Sequence, residues 1–113
     1  MTISKDLIAA SATPLILSIL SQGESYGYAI IKQVHELSRG QLNWTDGMLY
    51  PVLHRLEDQN LIESRGCVAE NGRMRKYYSI KDQGKKALHD HKQQWAAVHA
   101  TLKQIWEANP CFS

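Results

Sequence analysis

One amphipathic helix running directly into a hairpin with a basic tip leaves this chain few folds to choose from. Leu49, Val52, Leu53 and Leu56 recur at helical spacing and make a single apolar stripe. Gly47, Pro51, His54 and Asp58 fall on the opposite side, with Tyr50 and Arg55 on the flanks. Thr45 stands at the N-cap, and Trp44 and Leu49 occupy the two ends of a hydrophobic staple. Asn60 tolerates the left-handed turn into Leu61-Ile62. Strand-like runs at Ile62–Val68 and Met74–Ile80 flank Asn71-Gly72, a strong hairpin signal. Arg73, Arg75 and Lys76 cluster beside that turn.

The remaining segments are helical. Apolar residues from Leu7 through Leu20 predict a first helix ending at Gln22-Gly23. Pro14 either opens this helix behind a Thr13 cap or kinks a longer one. The kinked form is preferred, because Leu7, Ile8 and Ser11 continue the stripe backwards. Ser25 caps a second helix, whose Ile30, Val34 and Leu37 share a face, and Gly40 supplies a left-handed stop. A last helix runs from near Asp82 almost to Ala108. Leu88, Trp95 and Leu102 are seven apart along it, with Val98 and Ile105 between them. A lone helix cannot bury such a seam, so these five residues, with Leu7, predict a homodimer interface.

The expected fold is mostly α with a small β-hairpin. Residues 1–81 form a winged helix-turn-helix for DNA binding, and residues 82–113 a long C-terminal dimerisation helix. A length of 113 residues suffices for one core but not for two. The formal net charge of +2 does not by itself mark a nucleic-acid partner, so charge placement carries that argument. Ser11, Thr13, Pro14 and Ser18 interrupt the first apolar segment, which reads neither as a signal peptide nor as a membrane span. Cys67 and Cys111 have no framework spacing and read as free thiols. A cytoplasmic protein without a membrane partner is expected.

On double-stranded DNA, Gly47 and Pro51 keep the outward face of the third helix shallow. Thr45, Tyr50, His54 and Arg55 then offer donors to bases or phosphates. Arg73, Arg75 and Lys76 reach phosphate or the minor groove from the hairpin. A two-fold dimer suits a pseudo-palindrome with half-sites about one turn (~10 bp) apart. Tyr77 and Tyr78 must point to opposite strand faces, one of them towards the core. Phosphate-binding loops, nucleophile elbows and zinc-protease helices are all missing from the sequence, so neither an enzyme nor a cofactor is expected. His89, His91, His99 and Cys111 have no characteristic metal-ligand spacing, and no metal site is assigned. A redox role for Cys67 and a pure protein-interaction module are the weaker readings. The module would keep the seam but would have no need of the helix and basic hairpin together.

The Leu49-Tyr50-Pro51…Arg55-Leu56-Glu57…Leu61-Ile62 run and the Gly72-Arg73-Met74-Arg75-Lys76-Tyr77-Tyr78 run, with Gly27-Tyr28, resemble the PadR family of transcriptional regulators. The chain is similar to its short subfamily with a single C-terminal helix, which includes the lactococcal multidrug-binding regulator. The resemblance implies a homodimeric repressor released by a small ligand. It matches Trp95 to a tryptophan that stacks planar aromatic drugs in a pore at the dimer centre, with Ala10, Pro14, His91, Val98 and His99 as neighbours. Asn60, Ile80-Lys81 and Arg65-Gly66-Cys67 depart from the family pattern. Trp95 also has a plain reading as packing within the seam, and His91 and His99, on its face, one as solvated surface.

Overall fold

A computed structural model describes residues 1–108. Its elements are α1 (Lys5–Ser21), β1 (Ser25–Tyr26), α2 (Gly27–Leu37), α3 (Asp46–Asp58), β2 (Ile62–Val68), β3 (Met74–Ile80) and α4 (Asp82–Ala108). The strands form one antiparallel sheet in the order β1-β3-β2. This is the expected winged helix-turn-helix with a long C-terminal helix. Cys111 lies outside the described residues.

α1 runs unbroken through Pro14, starting from a Ser4 cap whose Oγ accepts the Leu7 N–H at 3.3 Å. Proline has no N–H, so the carbonyl of Ala10 loses its usual donor. One turn on, the Ser18 hydroxyl donates to the Pro14 carbonyl at 2.6 Å. The helix persists because its inner face is well packed: Ala12, Ile16, Leu17, Ile19 and Leu20 are all buried.

Two expectations about α2 need correction. Ser25 does not cap it; Ser25 and Tyr26 instead pair with Tyr78 and Tyr77 as an edge strand, and Tyr26 occupies the cap position without a side-chain bond. At the other end, the left-handed residue that stops the helix is Arg39 (φ 55°), followed by Gly40 (φ 81°). The Gly40 N–H reaches back to the His35 carbonyl and the Arg39 N–H to that of Glu36, a Schellman closure displaced one residue ahead of the glycine. α3 closes in the same way, with Asn60 (φ 61°) left-handed as expected.

Ile30 and Val34 of α2, Trp44, Leu49, Leu53 and Leu56 of α3, Ile62, Tyr78 and Leu88 join the α1 face in one core. Trp44 and Leu49 are both in that cluster, as the staple requires. In the hairpin, the Ala69 N–H donates to the Arg73 carbonyl at 2.8 Å and the Gly72 N–H to that of Ala69 at 2.9 Å. Glu70-Asn71-Gly72 is therefore a three-residue loop with Gly72 alone left-handed (φ 81°).

Leu88, expected in the dimer seam, is instead 5% exposed and seals the core of its own chain, so the exposed apolar residues of α4 begin at Trp95. From Lys92 to Ala108 every residue of α4 is exposed. Among the described residues, no helix is long and apolar enough to cross a membrane.

Candidate nucleic-acid interface

α3 presents Gly47, Pro51, His54 and Asp58 to solvent, while Leu49, Leu53 and Leu56 anchor it from behind. The Thr45 Oγ1 accepts the Met48 N–H at 3.2 Å, so this hydroxyl oxygen is engaged in starting the helix. Pro51 sits inside α3 and removes the donor that would satisfy the Gly47 carbonyl. Arg55 turns towards α1, where its Nη2 donates to the Thr13 Oγ1 at 2.9 Å.

The pleat of β3 divides the basic hairpin residues between two faces. Tyr78 is 2% exposed and belongs to the core, leaving Tyr77 on the outer face. There the Arg75 guanidinium lies 4.1 Å from the Tyr26 ring centroid, and Tyr26 meets Tyr77 edge-on at 5.4 Å. Arg65 covers Tyr77 at 5.2 Å, and its Nη2 pairs with the Glu24 Oε1 at 2.6 Å. The hydrogen bond to Glu24 pushes the Arg65 pKa up, and Tyr77 does the same for Arg75. Lys76 points to the α3 side, with its Nζ 4.0 Å from Glu57 and 5.7 Å from the Tyr78 ring centroid. Arg73 is exposed at the tip.

These elements enclose a cleft of about 290 Å³ between the start of α2, the flank of α3 and the wing. Gly27, Tyr28, Tyr50, Arg73, Arg75 and Lys76 line it, and no carboxylate does. The structure thus brings Tyr50 together with the three basic wing residues. It leaves His54 on the outward face and the Arg55 guanidinium bonded to Thr13 of α1.

The candidate ligand residues lie on α1 and α4, which pack against each other. A notch of about 110 Å³ joins Trp95 and Val98 with Gln94, and excludes Ala10, Pro14, His91 and His99. Among the described residues, no group of three or more His, Cys, Asp or Glu is placed to hold a metal.

The family model for the transcriptional regulator PadR-like family matches residues 16–90, from the middle of α1 into α4. The chain belongs to the PadR-like family. It is 33% identical over 89 residues to the transcriptional regulator YqjI of Escherichia coli, covering 79% of this chain and 41% of that one. It is also 32% identical over 91 residues to the negative transcriptional regulator PadR of Bacillus subtilis, covering 79% and 47%. It therefore spans less than half the length of these two relatives. A transcriptional regulator from Clostridium thermocellum matches along 91% of this chain and 97% of its own, with a TM-score of 0.83 at 29% identity. The family is one of transcriptional regulators.

Sequence reasoning missed Tyr26, Gly27, Glu24 and Arg65 as structural determinants of this region. A two-residue strand has no periodicity to reveal it, and a glycine shows nothing of what faces it. The one available signal was Gly27 itself, placed at a helix start where no turn requires it.

Proposed function

We propose that this PadR-like chain is a homodimeric, DNA-binding transcriptional repressor acting in the cytoplasm on a pseudo-palindromic operator. The observation that carries this reading is the shallow outward face of α3 beside a cleft walled by Arg73, Arg75 and Lys76 and free of carboxylates. A groove-inserted helix needs such a profile, and phosphates need such a wall. The Bacillus subtilis relative is a negative regulator, which favours repression over activation.

Dimerisation is supported by Trp95, Val98, Leu102 and Ile105, exposed along one side of α4 with Leu7 exposed on α1. Release by a planar aromatic compound is supported by the resemblance at Trp95, which is 39% exposed. One chain offers only the small notch there, far below the ~300–1,000 Å³ of pockets that enclose drug-sized ligands. A facing copy would supply the other wall.

The test is titration of the purified chain against DNA from upstream of its own gene and against random duplex, over a range of salt. Saturable, preferential binding with a steep salt slope is expected. A dimer that ignores both duplexes at low salt would instead be an interaction module.

A further inference from the structure

Gly27 is buried as the first residue of α2, and the Tyr50 side chain lies directly over it. A Cβ at position 27 would collide with the Tyr50 hydroxyl and would stand 2.9 Å from the ring Cζ. The backbone of Gly27 is not left-handed, so the glycine is required for space and not for φ. Tyr50 is in turn 38% exposed, with its ring laid across the start of α2. Its hydroxyl therefore sits on the cleft side of α3, towards the wing, and away from the Gly47–Pro51–His54 face. Arg73, Arg75 and Lys76 make that cleft cationic, and Asn71 is the remaining side-chain amide on its wall. An anionic occupant is what such a wall recognises, and DNA presents its phosphates there rather than its base edges.

We propose that Gly27 is a positioning residue for DNA binding: the space above it lets Tyr50 lie across α2 and hold its hydroxyl in the cleft, where it donates to a backbone phosphate. Tyr50 then fixes register without reading sequence. This rests on the DNA-binding reading above. A Cβ at position 27 drives the ring out of its seat, and the hydroxyl loses its place beside the wing. The consequence of Gly27→Ala should then equal that of removing the hydroxyl itself.

The experiment titrates the full chain, Gly27→Ala, Tyr50→Phe and the double variant against upstream and random duplexes, with a thermal melt of each protein. Tyr50→Phe should weaken binding to both duplexes by a similar factor, about tenfold for a hydrogen bond to a charged group. Preference and salt slope should stay unchanged, because a neutral hydroxyl displaces no counterion. Gly27→Ala should match that loss, and the double variant should bind no more weakly than either. A loss confined to the upstream duplex would make Tyr50 a base reader, and losses that multiply would uncouple the two residues; either overturns the proposal. So would wild-type binding by Gly27→Ala.

If Gly27→Ala does not fold at the assay temperature, Tyr50→Phe on the two duplexes still decides the phosphate contact. The melts decide the seat: the double variant should melt above Gly27→Ala, and failure to recover overturns the positioning role. If the unaltered chain binds neither duplex, the DNA-binding reading has failed, while the melts still report on the Gly27–Tyr50 seat separately.

Discussion

Gly84, in the first turn of α4, faces the carbonyl of Leu61 across a gap that admits no Cβ. The Lys81 N–H donates to the same carbonyl at 2.9 Å, and the Leu61 N–H donates back to Leu56 at 3.0 Å. Leu61 thus ties together the end of α3, the start of the hairpin and the root of α4. Gly84→Ala pushes a methyl into backbone that this bond holds in place. It should cost about 1–3 kcal/mol of stability by overpacking. A loss of unfolding free energy in urea below about 0.5 kcal/mol, the range of a neutral surface change, would show that the root of α4 yields freely.

His54 and Arg73 should fail differently when replaced by alanine. Arg73 is a charge at the wing tip, so its loss should weaken binding to every duplex and lower the salt slope by about 1. His54 stands on the exposed face of α3, so its loss should change base preference and leave the slope alone. Affinity against salt for a small panel of operator variants separates the two. The assignments fall if the slope follows His54 instead of Arg73.

The elements readable in the sequence were those defined by local pattern. The stripe of α3, the Asn60 turn, the Gly72 hairpin and the helical run of α4 each announce themselves within a few residues. β1 did not, because Ser25 and Tyr26 become a strand only by pairing with residues far along the chain. Arg55 reads in sequence as a flank donor, whereas its bond to Thr13, 42 residues away, turns its side chain against α1. Arg75 and Lys76 are neighbours in sequence, yet the pleat sends one to Tyr26 and the other to Glu57. Chemistry at the interface was legible as residue type, whereas its direction was set by non-local contacts.

Val98→Glu tests the seam without touching the core, since Val98 is exposed and lies beyond Leu88. A charge placed in an apolar contact between two copies costs several kcal/mol, enough to shift a dimer to monomer at micromolar concentration. Sedimentation should show half the mass, with circular dichroism keeping the signal of the core helices. An unchanged mass would place the interface elsewhere.

Tyr78 should weaken the fold at alkaline pH. Burial raises its pKa, with Tyr50 and Glu57 acting in the same direction. The fold thus favours the neutral phenol. The stability it contributes is complete below the unfolded value of about 10 and is lost as pH climbs through the higher folded value. Tyr78→Phe has no proton to lose, so its stability should fall less steeply above pH of about 10 than that of the unaltered chain. Superimposable alkaline limbs would show that other groups set the limit.

The exposed run of α4 from Lys92 to Ala108 has a consequence for when this part of the protein is ordered. Most helical stability in proteins comes from tertiary packing of an apolar face and little from propensity, because nucleation costs more than a few backbone bonds return. This run has little local support: its last turn carries no basic residue, and Lys103 precedes Glu107 in the weaker orientation of an i,i+4 pair. If α4 packs against a second copy, a solitary chain loses that support between Lys92 and Ala108, and the frayed part of this run grows as the protein is diluted. Backbone order in the arm then becomes a gauge of how many copies are present, with amide exchange there accelerating on dilution while the α1 core stays protected.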